Sequence, residues 1–283
     1  MKIILGTAQF GLNYGVKNNF KKLTKSNIYR ILDTAYKSGI FYLDTAESYG
    51  NVHQILSSYN LSRFKIITKI NYTKNISEPT IENSIYKIIN SLKIKKLYSV
   101  LLHQPKKYKL NELKKIYLIL LNLKKKKIIN KIGFSIYKPE EYYSYKKYFS
   151  PDIVQGPLNI FNRNVITSNL LNDLKKSKIE FHARSIFLQG LLLMTDRNRY
   201  FNKWDKHFKY FQDELKKTKL KDYEYAINFV KQEKLVSSIV FGVDNSSHVI
   251  KFNNALKLKN IQISPKLSIK DENIINPNNW NIL

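Results

Sequence analysis

The segment Phe41-Tyr-Leu-Asp44-Thr-Ala-Glu-Ser-Tyr49-Gly-Asn51 joins a short apolar run, typical of a β-strand, to a group of polar residues. Two later segments, Lys65-Ile-Ile-Thr-Lys69 and Ser99-Val-Leu-Leu-His103-Gln-Pro105, have the same form. Side chains at the carboxyl ends of neighbouring barrel strands point into one pocket. If the three runs are parallel neighbours, the polar side chains that meet there are Asp44, Tyr49, Lys69 and His103.

Apolar runs alternate with helical patterns along the rest of the chain, which favours a parallel sheet with crossover helices. Ile28, Ile31, Leu32 and Ala35 have the spacing of one face of a helix over residues 26–38. Pro139 fits the first turn of another helix, where a missing amide hydrogen costs nothing. The remaining predicted helices cover residues 51–59, 80–92, 111–126, 139–148, 168–177, 221–233 and 246–256.

The chemistry of the four polar residues suits the reduction of a carbonyl group. A phenol titrates at about 10 in water, so Tyr49 is a poor proton donor at neutral pH unless a nearby cation lowers its pKa. Lys69 can supply that cation, and Asp44 can pair with it. His103 can hydrogen-bond a carbonyl oxygen and stabilise the alkoxide that develops when hydride arrives. Each residue alone is more often structural, but their joint occurrence at strand ends indicates catalysis.

Motifs along the chain resemble those of the aldo-keto reductase superfamily. Ile4-Leu-Gly-Thr-Ala-Gln-Phe-Gly11 looks like its first strand and turn, and the segment from Asp44 to Asn51 looks like its signature around the catalytic tyrosine. Segments similar to its fifth to eighth strands are residues 132–135, 154–159, 183–190 and 239–242. The resemblance implies a single-domain (β/α)8 TIM barrel over residues 1–283. It also implies an NAD(P)-dependent oxidoreductase that reduces an aldehyde or ketone to an alcohol, with Tyr49 as the acid.

The same resemblance assigns residues to cofactor and substrate. The residues expected to bind NADP are Gly6, Thr7, Ala8, Asp44, Ser135, Gln155, Arg184, Ser185, Leu188, Gly190, Gly242, Val243, Asn245, Ser246 and His248. Of these, Ser135 and Gln155 would hydrogen-bond the nicotinamide carboxamide, and residues 242–248 would hold the adenosine end, where a helix N-terminus suits a phosphate. The residues expected to line the substrate pocket are Phe10, Tyr49, His103 and Trp280. No metal is expected, because the other histidines lack the spacing of metal ligands.

Three residues depart from the family pattern. Ile136 follows Ser135 where many members have asparagine, which removes one carboxamide contact. Arg184 stands where many members have a tyrosine, and its planar guanidinium could stack on the nicotinamide ring or bind an anionic substrate, with stacking favoured. Asp244 lies near where basic residues usually meet the 2′-phosphate of NADP, and its charge would oppose that phosphate unless it points away. NADP is the expected cofactor, with NAD as the alternative.

Two segments interrupt the alternation of strands and helices. Residues 191–220 are polar and aromatic and longer than a usual connection, so we expect a long loop that folds over the cofactor. Residues 264–283 form a C-terminal tail rich in Asn and Pro. In related enzymes this tail contributes to the substrate pocket, so Trp280 or Ile282 would line it. Packing of Trp280 on the outside of the barrel is an equal alternative.

Composition restricts the class of protein. A chain of 283 residues without cysteine has no disulfide, thiol nucleophile or zinc–thiolate site, and a reducing cytoplasm is permitted. The sequence begins directly with a strand, and no apolar run approaches the roughly 20 residues that span a bilayer. We therefore expect a cytoplasmic protein that does not bind membranes. Its oligomeric state stays open.

The formal net charge of +28 raises the possibility of nucleic-acid binding, and residues 124–127 are four consecutive lysines. The lysines are nevertheless spread over almost every predicted helix, and Lys, Asn, Ile and Tyr are abundant together, as codons from an AT-rich genome would produce. No specific nucleic-acid partner is expected, because charge alone indicates only non-specific association. The alternatives to a reductase are a non-catalytic barrel that binds a ligand and a basic nucleic-acid-associated protein.

The opening segment, residues 5–16, is similar to a bacterial branch of the superfamily that is often associated with surface-carbohydrate biosynthesis. We therefore expect a small carbonyl substrate, with a weak preference for one derived from a sugar. The four catalytic types specify the reaction and leave the substrate open.

Overall fold

The computed structural model describes residues 1–12, 15–16, 23–72 and 76–280. Within these residues, eight parallel strands lie side by side in chain order. They close into a barrel, because β1 pairs with β2 on one side and with β8 on the other. The strands are β1 (Lys2–Gly6), β2 (Tyr42–Asp44), β3 (Lys65–Ile70), β4 (Leu97–Leu102), β5 (Ile129–Ser135), β6 (Ile153–Pro157), β7 (Glu180–Arg184) and β8 (Ser238–Gly242). The predicted (β/α)8 TIM barrel is confirmed, and the three runs that carry the polar residues are neighbours.

Helices surround the barrel. They are α1 (Ala8–Gly11), α2 (Lys25–Lys37), α3 (Val52–Leu56), α4 (Glu78–Ser91), α5 (Leu110–Lys125), α6 (Pro139–Tyr145), α7 (Asn164–Thr167), α8 (Leu170–Lys176), α9 (Asp205–Thr218), α10 (Asp222–Gln232), α11 (Ser246–Ala255) and α12 (Glu272–Ile275). All eight predicted helices are confirmed, with ends that differ by at most three residues. No helix in the described part of the chain is long and apolar enough to cross a membrane.

Local sequence explains how α2 and α11 begin and how α2 packs. The Thr24 hydroxyl accepts the amide hydrogen of Asn27, and the Asn245 side chain accepts that of His248, so both helices have a polar N-cap. The apolar face of α2 consists of the fully buried Ile28, Ile31, Leu32 and Ala35. This spacing of three and four residues places all of them on the side that faces the barrel.

The interior of the barrel changes from apolar to polar towards its carboxyl end. One buried layer consists of Ile4, Ile67, Leu101, Ile153 and Val240, from five different strands. Because alternate residues of a strand face the same side, the residue two positions further along each strand also faces the interior. Those residues are Gly6, Lys69, His103, Gln155 and Gly242. The apolar layer therefore forms the floor beneath a polar mouth.

The expectation of a loop over residues 191–220 is wrong, because this segment contains the fourteen-residue helix α9. Phe208 and Phe211, three residues apart, are buried against Phe161 with ring centres 5.5 and 6.2 Å away. The Glu214 carboxylate, one turn further on, accepts the hydroxyl of Tyr225 at 3.2 Å. Tertiary packing on these few side chains supports a helix whose other residues are mostly charged or polar.

The C-terminal tail packs against residues Arg199–Trp204, which form a short 3₁₀ segment. The Trp280 ring lies edge-on to Phe201, with centres 5.1 Å apart, and its indole nitrogen donates to the Ile274 carbonyl at 3.0 Å. The Trp204 indole nitrogen donates to the Asp271 carboxylate at 3.1 Å. These contacts fix the described part of the tail against the 3₁₀ segment in the connection after β7. Ile282 lies outside the described residues.

Candidate active site

The four predicted catalytic residues lie together at the carboxyl end of the barrel. Asp44 ends β2, Lys69 is the penultimate residue of β3, and His103 directly follows β4. The Lys69 ammonium forms an ion pair with Asp44 and donates a hydrogen bond to the Tyr49 hydroxyl at 3.2 Å. Gln155 donates to the second Asp44 oxygen at 2.8 Å. A continuous polar chain therefore runs from β6 through Asp44 and Lys69 to the phenol.

Two glycines hold the Tyr49 loop against the first turn of the chain. A Cβ atom on Gly11 would lie 1.9 Å from the Tyr49 carbonyl oxygen, so only glycine permits this close approach. Gly50 has a φ of 59°, which a residue with a side chain adopts only with strain. The glycine of the tyrosine motif thus serves the position of Tyr49 and does not depend on a ligand.

Burial and charge act in opposite directions on Lys69 and Tyr49. Burial alone would lower the pKa of Lys69, but the Asp44 charge and the Tyr49 hydroxyl raise it above its usual value. Burial raises the pKa of Tyr49 above its usual value, although the Lys69 charge opposes it. The expectation that Lys69 lowers the phenol pKa overall is therefore not met. Tyr49 is protonated at neutral pH, as a proton donor must be.

His103 is an uncharged hydrogen-bonding group. Burial, followed by the charges of Lys69, Arg184 and Lys107, lowers its pKa to about 4. Its ring lies edge-on to Tyr49 with centres 6.2 Å apart, and its Nδ1 atom is 3.4 Å from the Ser48 hydroxyl. If Ser48 donates this bond, the other ring nitrogen carries the hydrogen and is available as a donor.

A cavity of about 670 Å³ opens from this polar mouth along β7 and β8. Eleven of the predicted cofactor residues line it: Gly6, Thr7, Ala8, Asp44, Gln155, Arg184, Ser185, Gly190, Gly242, Val243 and His248. Tyr49 and Lys69 also line it. The lining does not include Ser135, Leu188, Asn245, Ser246 or His103. The cavity therefore joins the catalytic residues to most of the predicted cofactor residues.

Three of the four predicted substrate residues, Phe10, His103 and Trp280, do not line the cavity. Phe10 is fully buried in α1, where its ring packs in the core, and it is not among the lining residues. Trp280 packs on Phe201 and uses its indole nitrogen within the tail, contrary to the expectation that it lines the substrate pocket. Its observed contacts are with the segment that follows β7 and with the tail itself.

Several residues that line the cavity escaped sequence reasoning. They include Gln9, Phe187, Gln189, Met194, Asp196, Asp222 and Lys251. Gln9 and Gln189 stand inside the quoted motifs and could have been named from their position. Gln9 packs directly over Gly242, where an added Cβ would lie 1.9 Å from its side-chain oxygen. Asp222 and Lys251 lie on α10 and α11, and no local signal distinguishes them from other helical residues.

The cavity has features that fit a nicotinamide dinucleotide. Gln155 lines the cavity and Ser135 is its partner on the neighbouring strand. The Ser135 hydroxyl and the Gln155 carbonyl oxygen are buried and lack hydrogen-bond partners, so a carboxamide could satisfy both. Ser185, Leu188, Gln189 and Gly190 all have positive φ angles, and the space around Gly190 is open. Such a run of left-handed backbone is costly and is typical of segments that are shaped for a ligand.

The far end of the cavity carries opposite charges. The Asp244 carboxylate lies 2.6 Å from Nδ1 of His248 and accepts a hydrogen bond from the Asn245 side chain at 3.1 Å. Lys251, one turn along α11 from His248, also lines the cavity. The negative charge that opposed a 2′-phosphate in the sequence is therefore engaged by neighbouring side chains, and a cation lies nearby.

A sequence model of the aldo/keto reductase family matches residues 2–265. The chain belongs to this family. Among solved structures, the holo form of the aldo-keto reductase AKR11C1 of Bacillus halodurans is 16% identical, with a TM-score of 0.76 over 99% of this chain and 95% of that chain. The glycerol dehydrogenase AKR11B4 of Gluconobacter oxydans is 18% identical, with a TM-score of 0.73 over 93% and 88%. A search of curated proteins found no match.

Membership of the aldo/keto reductase family makes the protein an oxidoreductase and implies NAD(P)H-dependent reduction of a small carbonyl substrate. The family resemblance inferred from the sequence is confirmed. Because the solved structures are so low in sequence identity, their structural similarity supports the barrel fold alone. Within the residues that the structure describes, no group of three or more His, Asp or Glu side chains is placed to hold a metal ion.

Proposed function

We propose that this aldo/keto reductase reduces an aldehyde or ketone to the alcohol, with NADPH as hydride source and Tyr49 as proton donor. The observation that carries the proposal is the hydrogen bond from Lys69 to Tyr49 at the mouth of the cavity, with Asp44 completing the ion pair. Both Tyr49 and Lys69 line the same cavity as the open loop around Gly190. A carbonyl compound in this cavity can therefore meet the proton donor and the cofactor together.

Each catalytic side chain has a separate task. When bound, the reduced nicotinamide supplies the hydride that adds to the carbonyl carbon. Tyr49 donates its phenolic hydrogen to the carbonyl oxygen, and the Lys69 ammonium stabilises the phenolate that is left. Asp44 keeps that ammonium in place and is itself held by Gln155. Neutral His103 donates a hydrogen bond to the same oxygen and orients the substrate.

The cofactor is held by this chain at three positions. Ser135 and Gln155 offer a hydroxyl and a carbonyl oxygen to the carboxamide, while Ile136 offers no polar side-chain group. The segment from Ser185 to Gly190 borders the diphosphate, with Leu188 contributing only backbone because its side chain is buried. Residues 242–248 hold the adenosine, and Lys251 supplies a cation for the 2′-phosphate of NADP. NAD is the alternative, since Asp244 stands at the same end.

Cofactor binding and turnover test this proposal in two steps. The protein should be titrated with NADPH and with NADH, with quenching of Trp fluorescence as the signal. NADPH should bind saturably and more tightly than NADH. Oxidation of NADPH, followed at its absorbance band, should then require an added aldehyde. If neither nucleotide binds, the proposed function is wrong.

A further inference from the structure

Arg184, at the end of β7, extends across β6 towards the end of β5. Its guanidinium carbon lies 4.5 Å above the centre of the Tyr137 ring, and one terminal nitrogen donates to the Ile136 carbonyl at 2.9 Å. The other terminal nitrogen donates to the Ser185 hydroxyl at 3.2 Å. Tyr137 and Ile136 belong to the β5 side of the mouth, whereas the predicted adenosine site follows β8. The positive charge is therefore held on the side of the carbonyl site.

The guanidinium has more hydrogens than these contacts use. Arginine carries five N–H groups, and the two acceptors that bind them are uncharged. The Nε atom is buried without a partner. Among the described residues, no carboxylate lies within 4.0 Å of Arg184, although the side chain lines the cavity. The nearby Glu141 carboxylate senses the charge of Arg184 but makes no ion pair with it. A half-buried cation without a direct ion pair favours an anionic ligand, because buried charges are normally paired.

Other cations surround the same position. The Lys106 ammonium lies 5.9 Å from the centre of the Tyr137 ring, on which the Arg184 guanidinium also stacks. Burial lowers the pKa of His103 most, and the charges of Lys69, Arg184 and Lys107 lower it further. Among the larger influences, only the Asp44 charge raises this pKa. Glu141, at the start of α6, accepts the amide hydrogens of Tyr137 and Lys138 with one oxygen, and its negative charge is near Lys106 and Arg184. The wall of the mouth near His103 is therefore net cationic, because Lys69, Lys106, Lys107 and Arg184 outnumber Asp44 and Glu141.

We propose that Arg184, supported by the Tyr137 ring, binds an oxyanion group of the substrate, so that the enzyme prefers carbonyl compounds that carry a carboxylate or a phosphate. This inference rests on the proposed reductase function. It also differs from the role favoured by the sequence, in which Arg184 stacks on the nicotinamide ring. One face of the guanidinium already meets Tyr137, and the hydrogen bond to the Ile136 carbonyl holds it at the β5 end of the mouth.

Matched substrates separate charge from shape. 4-Carboxybenzaldehyde and its methyl ester differ in charge at one position, and glyceraldehyde 3-phosphate and glyceraldehyde test phosphate against a neutral sugar. We expect the wild-type enzyme to have the higher kcat/KM for the charged member of at least one pair. The pair that shows the preference tells whether the anion is a carboxylate or a phosphate.

Substitution of Arg184 then tests the residue. Arg184→Gln should lower kcat/KM for the preferred acidic substrate by roughly 30-fold or more, mainly through KM, because it removes one partner of a desolvated charge pair. Turnover of the neutral partner and the Kd for NADPH should change less than about threefold. Arg63→Gln is the matched control, because Arg63 is exposed and also stacks on a tyrosine, Tyr36, at 4.9 Å. It should leave all these values unchanged.

Different failures have different meanings. If the wild-type enzyme reduces neutral aldehydes but shows no preference for the acidic partners, the proposed function stands and this inference is wrong. An equal loss on neutral and acidic substrates in Arg184→Gln, or a weaker Kd for NADPH, would assign Arg184 to the cofactor instead. Should Arg184→Gln fail to fold, the wild-type salt dependence decides, since added NaCl should weaken turnover of the acidic substrate alone. If no aldehyde is reduced, the proposed function itself fails.

Discussion

Replacing Lys69 with methionine tests the buried ion pair on which the site depends. Both Lys69 and Asp44 are almost fully buried. Lys69→Met roughly keeps the volume of the side chain but leaves the buried Asp44 carboxylate without its cation. Removing one partner of a buried pair typically costs about 3–5 kcal/mol. The hydrogen bond from Gln155 to Asp44 survives, so we expect the lower end, about 3 kcal/mol.

The free energy of unfolding should be measured by urea denaturation, with fluorescence of Trp204 and Trp280 as the signal. The double variant Lys69→Met/Asp44→Asn removes both charges and is the matched control. It should recover most of the stability that the single variant loses, since no buried charge is left unpaired. Neither variant should reduce an aldehyde at more than a small fraction of the wild-type rate. A single variant as stable as the wild type, or a double variant that is no more stable than the single, would refute the reasoning.

Three further predictions concern the loop, the histidine and the cofactor. Gly11→Ala should lower the free energy of unfolding by about 1–3 kcal/mol, as for other overpacked sites, and reduce kcat by displacing Tyr49; equal kcat in wild type and variant would oppose this role. Because burial lowers the His103 pKa to about 4, well under its unfolded value, the wild type should lose stability as pH falls from about 6.5 towards 4; urea denaturation of His103→Gln should show a smaller loss. Lys251→Gln should weaken NADPH binding in a fluorescence titration and leave NADH binding unchanged, and equal weakening of both would remove Lys251 from the 2′-phosphate site.

Sequence periodicity predicted the alternation of strands and helices, and the resemblance to the family supplied the closed barrel. The strands are short apolar runs and the helices show apolar spacing of three and four, so both are visible within a window of about ten residues. Asp44, Lys69 and His103 were found in the same way, since each directly follows or ends an apolar run. Helix α9 was missed because its packing depends on contacts of Phe208 and Phe211 with the distant Phe161.

The same limit explains which site residues were misplaced. The position of Trp280 depends on Phe201, 79 residues earlier in the chain, and no local pattern reveals that contact. The Tyr49 pKa depends on how completely the fold buries the phenol, whereas the sequence shows only that a lysine is available. Arg184 was identified as unusual from the sequence, but its stacking on Tyr137 follows from the barrel geometry that brings β5 and β7 to the same mouth.

The most direct test of Tyr49 as proton donor is the turnover of Tyr49→Phe. The substitution removes one oxygen atom and keeps the ring that packs beside His103. Saturating NADPH and an aldehyde that the wild type reduces well should be used, with the Kd for NADPH measured in parallel. We predict that kcat falls by roughly 100-fold or more, the usual scale for loss of a general acid, while the Kd for NADPH is unchanged. An undiminished kcat would contradict the account.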